Sequence, residues 1–149
     1  MALTTQFFLD FAQLIVPALK KTKSYLTGGF RSVSGMVDAL NVVDGIGLGR
    51  PLCQEPYLCS HILAGKVPSA ISLHLSQYDF VSTATAALLH IRQIGNHQQP
   101  LNLGLAENTP KFYEAVGEYL AVKAQDATGD IYAPPVLRGW NEALSSVVM

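Results

Sequence analysis

The apolar residues Phe7, Phe8, Phe11, Leu14, Ile15, Ala18 and Leu19 recur at spacings of three and four, which predicts an amphipathic helix with Thr4 or Thr5 as its cap. Pro17 falls inside this pattern and removes a backbone donor, so the helix is expected to kink there or to have reached its last turn. Lys20, Lys21 and Lys23 then suit the negative end of its dipole. Residues 24–27 form a short strand candidate that runs into Gly28-Gly29, and Ser32 follows as the N-cap of a helix through Val33, Met36, Val37 and Leu40. A second apolar run at 42–48 is closed by Gly47 and Gly49, ahead of Arg50-Pro51 and a short helical stretch at 55–63. Residues 7–66 therefore read α, β, α, β, α, the order of parallel βαβ units.

From Val67 onward no strand–glycine–helix repeat recurs. Residues 80–94 predict a helix, 96–110 a polar loop ending in a proline, and 111–127 a second helix with Phe112, Val116, Tyr119, Leu120 and Lys123 along one stripe. The tail, 129–149, carries Pro134-Pro135 and reads as an extended segment followed by a short final helix. The expected organisation is thus a set of βα units at 1–66 with a helical extension at 67–149 packed on it, all in one domain.

Composition narrows the function classes. The chain has 149 residues, 49% hydrophobic and 14% charged, with ten Lys+Arg against eleven Asp+Glu. That balance offers no basic field for nucleic acid. Cys53 and Cys59 flank Pro56 at a spacing that fits neither a CxxC redox pair nor a zinc half-site, and they read as reduced, buried thiols; no metal site is expected. No run approaches the roughly 18 apolar residues of a membrane span, and the N-terminus lacks the features of a secretory signal, so a cytoplasmic protein is expected, with no membrane partner. Low charge and a mean hydropathy of +0.24 leave more apolar surface than a small monomer needs, which points to self-association.

The glycine turns carry the chemistry. TGGFRS closes the first strand and GIGLGRP the second. Glycines after parallel strands let backbone amides approach an anion closely, and Arg50 can clamp phosphate oxygens. Two such turns in succession describe a phosphate cup, as do the loops after strands seven and eight of a (β/α)8 barrel.

Residues 25–67, with TGGFRSVSGMVDAL, DGIGLGRPLCQEP and HILAGK, resemble the last two βα units of the old yellow enzyme group of NADH:flavin oxidoreductases. The resemblance implies an α/β fold, a partial (β/α)8-barrel remnant followed by a helical C-terminal extension. It also implies that Gly28, Gly29, Gly49 and Arg50 hold the phosphate of FMN, with Phe30 beside the flavin ring or its ribityl chain. A whole barrel needs roughly 250 residues, and two of its eight strands are read here. The strands that carry the family's ring contacts, its histidine-containing carbonyl-polarising pair and its proton-donating tyrosine are not among them. None of His61, His74, His90 or His97 replaces them by motif, and Asp44 matches a structural position of the family.

Two uncovered strand edges are a liability in water, and a homodimer or larger assembly is the expected remedy. The expected function is that of a cofactor-independent isomerase or cyclase acting on a small oxygenated metabolite of secondary metabolism, since such chemistry needs only placed proton donors and acceptors. Arg31 and Arg50 would bind the anionic or enolate oxygen. The alternative is an FMN-binding NAD(P)H oxidoreductase piece, an ene reductase complete only with another chain. A non-enzymatic interaction module is third.

Overall fold

In the computed structural model, which describes residues 3–130, 133–140 and 142–144, the first helix is α1 (Leu3–Ile15). It already contains Thr4 and Thr5, so neither stands before it as a cap. Pro17 stops the α-helical ladder earlier than the apolar pattern suggested: Val16–Ala18 tighten into a 3-10 turn and Leu19 is extended, because proline lacks the N–H that another α turn needs. Leu9 and Ala12 turn inward and are buried.

The strands are short. β1 (Tyr25–Thr27) leads through Gly28-Gly29 into α2 (Val33–Ala39), whose N-cap Ser32 accepts a hydrogen bond from the Gly35 N–H at 3.2 Å. β2 (Gly45–Gly47) begins three residues later than the apolar run predicted. The helical ladder continues past α2 instead: the Val42 and Val43 N–H groups both donate to the Ala39 carbonyl, and Val43 is buried from this turn rather than from a strand. β1 and β2 pair in parallel, with Tyr25 opposite Gly45, Leu26 opposite Ile46 and Thr27 opposite Gly47.

The helix expected at 55–63 begins three residues later, as α4 (Leu58–Leu63), and a further short helix, α3 (Arg50–Gln54), precedes it. Pro56 separates them, since proline donates no hydrogen bond and pushes the residue before it out of helical geometry. Next come α5 (Phe80–Gly95), capped by Asp79 through the Ser82 N–H at 3.0 Å, and α6 (Thr109–Ala124), with Pro110 in its first turn and a short 3-10 turn, Ala106–Asn108, before it. Leu120 lies on the exposed side of α6, whereas Phe112 and Ala115 are buried. Pro134-Pro135 lie in a stretch with neither helix nor strand, and Pro135 is fully buried; the predicted final helix lies largely outside the described residues.

The chain divides into two compact units, one comprising Met1–Leu52 with Pro56–Ile71 and the other Cys53–Glu55 with Ser72–Met149. The first is organised around Leu9, Phe30 and Ala39, joined by Leu26, Met36, Val42, Ile46 and Leu48. The second is built on Leu75, Ala86, Leu89, Leu101, Leu103 and Phe112. In the second, the stretch 100–103 is clasped by buried amides. Gln93 Oε1 accepts from the Leu101 N–H at 3.0 Å, Gln54 Nε2 donates to the Leu101 carbonyl at 3.1 Å, and Gln54 Oε1 accepts from the Leu103 N–H at 3.3 Å. The architecture is mixed α and β, mostly helical, with a two-stranded sheet among the described residues.

Candidate phosphate-binding site

Pairing of Thr27 with Gly47 in parallel register brings the turns that leave the two strands to the same end of the sheet. Gly28-Gly29 and Leu48-Gly49-Arg50 are therefore neighbours at the carboxyl end, where ligands of parallel sheets bind. The two glycine turns differ in physics. Gly28 has φ 140° and Gly29 φ 70°, both in the region that favours glycine, and a Cβ on Gly28 would stand 2.8 Å from the Phe8 ring. At Gly49 the backbone is ordinary, and a Cβ would meet nothing within 4 Å. Conformation requires the first turn's glycines; the space beside Gly49 is open to a ligand.

Within the sheet, Gly45 and Gly47 serve their neighbours. A Cβ on Gly45 would meet the Tyr25 ring at 2.5 Å, and one on Gly47 would overlap the Thr27 hydroxyl. The β1 side chains lie over the bare β2 glycines, a packing role that the Gly-Ile-Gly spacing signals once the register is known.

The expected site residues are used in different ways. Arg50 is exposed as the first residue of α3, directly after the second glycine turn. Arg31 is half-buried, and its Nη1 donates to the Ile71 carbonyl at 2.7 Å. Its backbone joins the same contact, the Arg31 carbonyl accepting from the Ala70 N–H at 2.9 Å, next to a bridge between Ser32 and Ser69. Arg31 thus fastens the 68–71 stretch beside the first turn. Phe30 is only 4% exposed and sits in the core with Leu9 and Ala39.

Asp44 is structural. Its carboxylate accepts from Lys23 Nζ at 2.7 Å, from the Ser24 N–H at 2.9 Å and from the Ser24 hydroxyl at 3.2 Å. These donors, the Lys23 ammonium first, hold its pKa at about 2, and the carboxylate in turn raises that of Lys23. His90 is buried in the second unit with Nε2 at 3.0 Å from the Leu101 carbonyl, and burial pushes its pKa down to about 4. It is therefore a neutral core imidazole, as a histidine on an apolar helix usually is. Cys53 is half-buried, with its thiol pushed up by desolvation, whereas Cys59 is exposed rather than buried; both are free thiols.

Among the described residues, no cluster of three or more His, Cys, Asp or Glu side chains is placed to hold a metal ion, and no helix is long and apolar enough to cross a membrane. Sequence reading missed the open groove along α6 in the second unit, which is floored by Ala115 and Glu118, walled by Val136 and Trp140, and crossed by the Arg138–Glu118 ion pair at 2.9 Å. The wall comes from the 133–140 stretch, and no local pattern announces where that stretch lies.

No protein-family model matches the chain. Over 133 residues, 89% of its length, it is 50% identical to the NADH-dependent flavin oxidoreductase nadA of Aspergillus parasiticus. The chain is a relative of the NADH-dependent flavin oxidoreductases. Over 54 residues it is also 50% identical to the NADH-dependent flavin oxidoreductase iccE of Talaromyces variabilis. The matched regions span 30% and 13% of these two flavin oxidoreductases, so the chain corresponds to less than a third of their length.

Proposed function

We propose that the chain supplies the flavin-phosphate-binding corner of an NADH-dependent flavin oxidoreductase, acting on a small molecule in the cytoplasm and complete only with further polypeptide. In this reading β1–α2–β2 is the remnant of the last two βα units of a (β/α)8 barrel, with the helices of residues 67–149 as its extension. The observation that carries it is the parallel register of Thr27 with Gly47, which sets two glycine turns side by side in a chain half identical to a flavin oxidoreductase.

The residues present suit the phosphate end of FMN. Gly28 and Gly29 expose backbone without side chains, the place of a Gly49 Cβ is empty, and Arg50 stands exposed next to it. A bound flavin supplies hydride transfer; these residues would do no more than hold and orient its phosphate. Phe30, which the resemblance sets beside the flavin ring or its ribityl chain, is enclosed by the core.

The competing chemistry is a cofactor-independent isomerase or cyclase, in which Arg31 and Arg50 share one substrate oxyanion. In that reading Arg31 keeps one Nη1 bond to the Ile71 carbonyl and turns its remaining N–H donors to the substrate. Titration of FMN into the purified protein, followed by quenching of flavin fluorescence, decides between them. Saturable binding that inorganic phosphate competes away, and that Gly49→Ala weakens, supports the flavin reading. A protein that ignores FMN yet rearranges an unsaturated small molecule returns the function to the cofactor-free class.

A further inference from the structure

Helix α1 is apolar on both faces. Leu9 and Ala12 are buried, while on the other side Phe7, Phe11 and Leu14 follow at i, i+4 and i+7 and are 68%, 58% and 81% exposed. Asp10 and Gln13 mark one polar edge of the helix, yet the three large side chains in one exposed stripe form a seam of the kind that packs into a groove. The sheet beside it is uncovered in the same way. It has two strands among the described residues, each paired on one side, with Tyr25 of β1 73% exposed; parallel sheets are otherwise found covered on both faces. The matched region makes up 30% of the Aspergillus parasiticus relative, so there it is joined to more than twice its own length of further chain.

We infer that the Phe7–Phe11–Leu14 stripe of α1 is a docking surface for polypeptide of the kind these longer relatives carry outside the matched region. The inference rests on the flavin-oxidoreductase reading for the identity of the partner. The exposure of the stripe stands independently of it.

The test is co-expression of this chain with the portion of the Aspergillus parasiticus relative outside the matched region, tagged on that portion. A stoichiometric complex is expected. Phe11→Lys and Leu14→Lys, both at exposed positions and so compatible with folding, should each lower its yield at least tenfold, while Leu88→Lys on the exposed side of α5 leaves it intact. Circular dichroism of each variant alone confirms that it remains folded. A folded chain that does not co-purify overturns the proposal. So does a homodimer in light scattering, or binding to phosphatidylglycerol vesicles, that the same two lysine substitutions abolish while the complex survives them. Flavin absorbance separates the two readings. A colourless complex sensitive to Leu14→Lys supports the docking surface and removes the flavin assignment, whereas FMN bound by the chain with no complex formed does the reverse.

Discussion

Gly28 and Gly49 each come after a parallel strand, yet they answer to different demands. At Gly28 a side chain would have to adopt φ 140° against the Phe8 ring, so Gly28→Val should destabilise the protein by about 1–3 kcal/mol in urea unfolding. At Gly49 both obstacles are absent, and Gly49→Ala should leave stability within about 0.5 kcal/mol of the parent, whatever it does to phosphate affinity. Arg50→Ala belongs with Gly49: calorimetric titration should show binding of FMN or phosphate weakened by more than about 1 kcal/mol, the loss of a charge-assisted contact, with little change in melting temperature. Collapse of the fold in Arg50→Ala would instead make that arginine structural. The glycine turns and Arg50 were legible because strand, glycine and helix succeed one another along the chain. The role of Arg31 was not, because its carbonyl partner Ile71 lies 40 residues away and leaves no local pattern.

Elements were legible where a cap or a clean apolar period marks them. Ser32 announces α2, apolar periodicity announces α5, and Pro110 opens α6. The misjudged boundaries, the end of α1, the start of β2 and the break between α3 and α4, arise where apolar periodicity runs on through a proline or a continuing turn. Less visible still is what fixes the stretch between α5 and α6. Leu101 and Leu103 are fully buried, and the polar groups beside them come from Gln54, His90 and Gln93 on two different helices. This clasp gives the second unit a defined acid response. The folded protein keeps His90 neutral down to about pH 4, whereas the unfolded chain takes up the proton near pH 6.5. The unfolded state therefore binds more protons between these values, so stability is complete above pH 6.5, falls as the pH drops towards 4 and levels off below, by at most about 3 kcal/mol. Urea midpoints measured from pH 7 to pH 4 should trace that fall. The fall should be largely absent in His90→Gln, whose side chain does not titrate; an unchanged slope in that variant would place the sensitivity elsewhere.

At the scale of the whole molecule, low charge and high apolar content gave early notice of uncovered surface, and α1 and β1 are where the first unit carries it. The division into two units was less legible. Cys53 and Gln54 belong to the second unit although they are the last residues of α3, which begins in the first, and nothing in a five-residue helix reveals such a change. The placement of the aromatic and imidazole side chains bears on the chemistry. A phosphate cup fixes one end of a flavin, while redox catalysis depends on hydrogen bonds and a closed environment around the ring. Here Phe30, next to the glycines in sequence, is committed to the core, and the buried histidine, His90, belongs to the other unit's interior and remains neutral. The chain on its own, with FMN in excess, is therefore expected to oxidise NADH in the presence of cyclohexenone no faster than free flavin does. Turnover should rise above that background only when the companion polypeptide is supplied, and it should be lost again with Leu14→Lys. Stoichiometric FMN binding with enone reduction by this chain alone would mean that the ring contacts are already present, within the chain or across copies of it, and the requirement for a companion would fall.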